Sequence, residues 1–163
     1  MVYVDQFVVN IPGQLLTGYG REYSTSLFHG VTLYNDDDTS IIWVENQVSL
    51  VASETLLGKE RFGLLIWDQA CADISHMHSD KCIFAADQFR LDCDNKHQEQ
   101  YFSGVGEHHQ NSRADISIQT IIYMARTFMV HSSFHWTDHG ADHISLWSFF
   151  VNHDVLFHNL LPN

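Results

Sequence analysis

The sequence predicts an α/β fold, a mixed sandwich in which three antiparallel strands are followed by alternating helices and strands. Three observations carry this expectation. Residues 2–45 hold three runs rich in β-branched and aromatic side chains, parted by polar turns. Residues 53–129 then switch between helical and strand periodicity. With 163 residues, 45% of them hydrophobic and 13% aromatic, the chain can bury one substantial core.

The elements follow in order. Val2 to Val9 reads as a first strand with Asp5 near its middle, stopped by a turn at Pro12-Gly13. Leu27 to Tyr34 and Ile41 to Glu45 read as two more strands, joined by the polar turn Asn35-Asp36-Asp37-Asp38. Ser53 as N-cap and Glu54 in the first turn open a helix, with Phe62, Leu65, Ile66 and Ala70 as its apolar stripe. Cys71 to Met77 is a short strand ending at His78-Ser79-Asp80, so Asp80 lies at a strand's C-terminal edge, where α/β sheets place their sites. Phe84 or Ala85, Phe89 and Cys93 keep helical spacing, Tyr101-Phe102 forms a short fifth strand, and Gly104 and Gly106 lie in a loop.

From Gln110 the stripe Ala114, Ile118, Ile121, Ile122, Ala125, Phe128 and Met129 predicts a long helix with Asp115 in its first turns. A last helix from Asp142 to Phe157 carries Ile144, Trp147, Val151 and Val155 on one face and stops before Pro162. Neither repeat nor linker interrupts the chain, so residues 1–163 are expected to form one domain.

Composition narrows the function classes. Cys71, Cys82 and Cys93 form no CxxC pair, which argues against a disulfide framework and a thiolate zinc site. The first residues lack a basic segment and a long apolar stretch, and nothing later approaches 18 uninterrupted apolar residues. The expectation is an intracellular chain, nuclear or cytoplasmic, with no membrane span. A formal charge of −12 disfavours duplex binding, which draws its affinity from Lys and Arg. The eight basic residues are scattered, so a nucleic-acid surface would depend on a few of them or on flanking domains.

Asp5, Asp80 and Asp115 are the candidate catalytic and metal-binding residues. Divalent-metal phosphoryl transfer needs oxygen ligands converging from separate elements, and here a strand, a strand edge and a helix start each supply one. Most of the 20 acidic residues simply solvate the surface, so the spacing alone is a hypothesis.

The flanking residues add a resemblance. The stretch His76-Met77-His78-Ser79-Asp80, followed by Gly104-Val105-Gly106-Glu107-His108-His109-Gln110-Asn111-Ser112-Arg113-Ala114-Asp115, resembles the catalytic core of copia-type retrotransposon integrases. So do Met124-Ala125-Arg126, His135-Trp136, Leu146-Trp147 and His158-Asn159-Leu160-Leu161-Pro162. Val4-Asp5-Gln6 looks like the strand bearing that family's first Asp, and Tyr34-Asn35-Asp36 like its second strand and turn. The resemblance implies a ribonuclease H-like fold, a mixed five-stranded sheet flanked by helices. It also implies Mg2+ or Mn2+ held by Asp5, Asp80 and Asp115, DNA as partner, and integration by 3′-end processing and strand transfer.

Departures from the pattern imply a degenerate copy. Asp115 stands where the family has Glu and is one methylene shorter. Lys81-Cys82 replaces the Asn-Gly after the second Asp, Ser112 replaces a Gly, and Ile116 replaces a basic residue that would contact phosphate. Asp154 falls beside the apolar stripe of the last helix, where it must rotate to the surface or pair with His153 or His158. His131, His135, His139 and His143 recur every four residues, zinc-ligand spacing on an unbroken helix, but Gly140 and Thr137-Asp138 argue for a break. Likewise His76 and His78, beside Asp80, read either as metal neighbours or as half-exposed hydrogen-bonding groups. Two functional classes stay open at this level: an impaired integrase core, and a non-catalytic remnant serving protein interaction or homodimerisation. A histidine-rich metal-binding protein is the third.

Overall fold

The computed structural model describes residues 1–13, 27–81, 83–104, 111–135 and 144–161. Five strands form one mixed sheet: β1 (Val2–Gly13), β2 (Phe28–Asp36), β3 (Ile42–Gln47), β4 (His76–Ser79) and β5 (Glu99–Phe102). Their spatial order is β3-β2-β1-β4-β5, with β1, β2 and β3 antiparallel and β1, β4 and β5 parallel. Helices α1 (Ala52–Ala70) and α2 (Asp87–Asn95), with a 3-10 turn at Ile83–Ala85, cover one face; α3 (Ser112–His135) and α4 (Trp147–Leu160) cover the other. This is the expected ribonuclease H-like α/β sandwich.

Strand alternation divides the core in two. Val2, Val4, Tyr34 and Met77 meet Phe62 and Ile66 of α1 and Phe89 of α2. Val31, Leu33, Ile42 and Val44 meet Ile118, Ile121 and Ala125 of α3 and Trp147, Val151 and Val155 of α4. Among the inward positions on the α1 side lies a polar knot. Gln6 Nε2 donates to Thr32 Oγ1 and Thr55 Oγ1, both at 2.9 Å, and Gln47 Nε2 donates to Thr55 at 3.1 Å. These bonds tie three strands to α1 without leaving buried polar atoms unpaired, which would be costly.

Several boundaries depart from expectation. β1 runs through Pro12-Gly13 instead of turning there: its register with β2 shifts between Val8 and Gly13, and an irregular stretch tolerates a proline that cannot donate to a ladder. Trp147 Nε1 donates to the Ile11 carbonyl at 2.8 Å, and the indole lies where a Gly13 Cβ would come within 2.6 Å of it. Helix α1 begins before Ser53, with Val51 at the N-cap and no capping side chain. Glu54 in the first turn instead ties down the approach to the helix, accepting from the backbone N–H of Val48 and Ser49. Ala70 is exposed, and the buried stripe of α1 is instead Thr55, Gly58, Lys59, Phe62 and Ile66. β4 starts at His76 rather than Cys71, which takes a left-handed conformation at the end of α1. α4 starts at Trp147, after a 3-10 turn at residues 144–146.

Candidate active site

The three carboxylates are placed by register and by two helix anchors. β1 pairs with β4 in the parallel order Val2 with Met77, Tyr3 with His78 and Val4 with Ser79. The next step of that register sets Asp5 beside Asp80, one residue past the end of β4. Asp5 falls on the face covered by α3, since it alternates with Val4 and Gln6, whose side chains enter the α1 side, and Asp80 lies near enough for its charge to act on Asp5. Asp115 descends on them from the first turn of α3.

Helix α3 is held in that position by groups the motif alone did not single out for the purpose. Asn111, almost fully buried, donates its amide to the Val4 carbonyl at 3.2 Å, next to Asp5. Asn35 at the end of β2 donates to Ser117 Oγ at 2.6 Å, two residues beyond Asp115, and Ser117 Oγ in turn donates to the Arg113 carbonyl. Arg113 pairs with Asp37 in the β2-β3 turn. A sequence signal for Ser117 existed: it is polar, but lies between Ala114 and Ile121 on the buried face of α3.

The electrostatics report the convergence. Burial pushes the Asp5 carboxyl up; the Gln6 N–H, donating to Oδ1 at 2.7 Å, opposes this; the charges of Asp115 and Asp80 and a hydrogen bond shared with Asp115 push it further, to about 6. Carboxylates crowded together cannot all ionise freely, and such crowding is characteristic of sites built for a cation or for proton chemistry. In donor chemistry the trio suits a hard divalent ion such as Mg2+, which takes oxygen ligands. In spacing it stays open: among the described residues, no three His, Cys, Asp or Glu side chains close into a group that could hold a metal.

The histidines near the site are not ligands in this arrangement. His78 packs its ring against Tyr3 at 5.6 Å and lies 3.2 Å from Ser103 Oγ. Burial lowers its pKa, with Asp80 acting in the opposite sense, so the imidazole is neutral at pH 7. His76 turns to the sheet edge, bonded to Ser75 Oγ at 2.7 Å and stacked on Tyr101. His131 and His135 lie one turn apart near the end of α3, with ring centroids 4.5 Å apart. His139 and His143 lie outside the described residues, as do Cys82 and His108-His109. The scattered cations are mostly committed: Lys59 and Lys96 to Asp92, Arg61 to Glu45, Arg113 to Asp37.

No protein-family model matches the chain, and no curated protein matches it in sequence. Solved structures do match in shape. The HTLV-2 integrase catalytic core domain in complex with magnesium, in its trimeric form, superposes with a TM-score of 0.60 at 10% identity, covering 99% of this chain and 85% of that one. For its dimeric form the values are 0.53, 10%, 90% and 82%. A chain of the simian T-cell lymphotropic virus intasome, solved in complex with PP2A regulatory subunit B56 gamma, gives 0.57 at 11% identity, covering 99% of this chain and 54% of that chain. At such identities the likeness is one of fold. The chain thus has the ribonuclease H-type architecture of a retroviral integrase catalytic core.

Proposed function

We propose that residues 1–163 are an integrase core of copia type, a retrotransposon-derived polynucleotidyl transferase with an impaired active site, working inside the cell. The observation that carries this is the placement of Asp5 on β1, Asp80 just past β4 and Asp115 in the first turn of α3, near enough that the charges of Asp115 and Asp80 both raise the Asp5 carboxyl. Asp5, Asp80 and Asp115 would hold Mg2+ or Mn2+. Bound there, such ions activate the attacking oxygen and stabilise the leaving one in phosphodiester chemistry. Asn111, Asn35 and Ser117 position Asp115 by fixing the start of α3. Impairment follows from the short reach of Asp115, the open spacing of the trio and the exposed Ile116 where a phosphate contact would be expected.

The test is 3′-processing and strand transfer on element-end DNA with Mn2+. Wild type is expected to give weak product and Asp80→Asn none. Asp115→Glu, which extends the carboxylate by one methylene, is expected to raise product about tenfold, equivalent to roughly 1.4 kcal/mol of barrier. Identical background from all three chains would remove the enzymatic reading and leave the non-catalytic one.

Self-association completes the proposal. A groove of about 610 Å3 lies between α1, edge strand β3 and α4, lined by Trp43, Val44, Leu65, Val155, Leu156 and Leu160. Asn159 fills one backbone position of the edge, accepting from Ile42 N–H at 3.0 Å and donating to its carbonyl at 2.8 Å. Leu156 and Leu160 are exposed, and a second copy would cover them. Sedimentation at micromolar concentration is expected to show a dimer for wild type and a monomer for Leu160→Glu; equal mass for both rejects this face.

A further inference from the structure

The solvent face of α3 carries an apolar seam that nothing among the described residues covers. Ile116, Tyr123, Val130 and Phe134 are 62, 66, 56 and 77% exposed. With Thr120 and Thr127, also exposed, they succeed one another at steps of 4, 3, 4, 3 and 4 residues. That is the spacing by which one helix packs along another, sustained over about 27 Å of helix at 1.5 Å per residue. The two threonines do not break the seam. Thr120 Oγ1 donates to the Ile116 carbonyl at 2.8 Å and Thr127 Oγ1 to the Tyr123 carbonyl at 2.9 Å, so their hydroxyls are satisfied within the helix. Their methyl groups are left to the outer surface.

Charge selects the occupant. The chain carries 20 acidic residues and a formal charge of −12, but none of those acids lies between Ile116 and His135. Apart from the Tyr123 phenol, the ionisable groups exposed on that span are Arg126, His131 and His135, and Arg126 forms no ion pair among the described residues. Arg126 directly precedes Thr127, a flanking position from which paired helices choose partners by charge. A second copy laid antiparallel, Ile116 over Phe134, would set two Arg126 side chains together at the twofold axis, like charge against like with no acid on either span to offset it. Duplex DNA would meet a single exposed arginine along the whole seam, too little for a phosphate surface.

We propose that this face of α3 docks an acidic amphipathic helix of a different protein, its apolar residues at heptad spacing on the seam and its carboxylates beside Arg126 and His131. The proposal does not depend on metal binding or catalysis by Asp5, Asp80 and Asp115. It gives the helix that bears Asp115 a recognition role on its opposite side.

The probe is a fluorescent three-heptad peptide with Leu at the core positions and Glu at the flanks, titrated by anisotropy into the full chain. Binding on the order of micromolar is expected for a seam of this size. The double variant Tyr123→Glu, Val130→Glu is expected to weaken it at least about tenfold, as loss of central anchors does. Arg126→Glu should weaken it severalfold and flatten its salt dependence. Leu91→Glu, an exposed site on α2, should leave it unchanged. Phe134→Glu in the last turn of α3 reads the same loss should the double variant not fold. The proposal is overturned by no binding to wild type, by equal binding to the double variant or by equal affinity for a peptide with Lys at the flanks. It is equally overturned if the double variant changes a dimer into a monomer, which would make the seam a self-association surface.

Discussion

Asp154→Ala is expected to stabilise the protein by about 2 to 3 kcal/mol at pH 8 and to lose that gain below about pH 4. Asp154 is fully buried on α4, neither carboxylate oxygen makes a hydrogen bond, and His153 Nδ1 stands 3.7 Å away, beyond hydrogen-bonding range. Of the two outcomes expected from the sequence, rotation to the surface does not occur, and His153 supplies only a loose ion pair. Burial raises the carboxyl from 3.8 to about 6, with His153 pulling it back in part. Between those two values the folded chain holds a proton that the unfolded chain has released. Stability therefore falls as pH rises from about 4 to 6 and stays lowered above that. Alanine removes the ionisable group, so the variant lacks this loss. Urea titrations at pH 4 and pH 8 check it: a midpoint gain confined to the higher pH is expected, and an equal gain at both would assign the effect to packing. Asp154→Asn should gain less, because it keeps polar atoms in the same dry position.

Lys59→Ala is expected to have the opposite effect, costing about 3 to 5 kcal/mol. Lys59 is 2% exposed, deep between α1 and α2, yet its ammonium is well served. It donates to Asp92 Oδ2 at 2.6 Å and Cys93 Sγ at 3.0 Å, and lies 5.0 Å from the centre of the Phe89 ring. Burial alone would raise the Asp92 carboxyl, but hydrogen bonds from Lys59 and Lys96 outweigh it and hold the pKa below the ordinary value. Truncation to alanine removes the ion pair and opens a cavity in the α1-α2 core. Lys59→Met refills that space and leaves Asp92 with Lys96, so it should recover most of the loss. Thermal melts of the two variants distinguish the terms: equal losses would show that charge, not volume, carries the effect.

Lys59 also marks where sequence reading stopped short. It occupies the apolar stripe of α1, three residues before Phe62, but composition counts it only as one of eight scattered cations. Its partners, Asp92 and Cys93, come from another helix, and helical periodicity carries no information across elements. The strands were legible because β-branched runs alternate between two cores, and the register of Val2 with Met77 follows from burying both. The start of α1 was not, because no side chain caps it: the helix begins after Val51, and Ser53, read as its cap, lies inside it.

At the candidate site the division is the same. The sequence by itself determined that Asp5 lies in a strand, Asp80 at a strand's end and Asp115 in the first turn of a long helix, since hydrophobic periodicity fixes local structure. Whether the three meet depended on packing. Only the tertiary structure decided that Asp5 and Asp80 come together, that Asn111 and the Asn35-Ser117 bond bring α3 down over them, and that Asp115 lies near enough for its charge to raise the Asp5 carboxyl. The seam on α3 divides likewise. Its heptad spacing is written in the chain, but the spacing does not say which face looks outward; packing of Ile118, Ile121 and Ala125 against the sheet does.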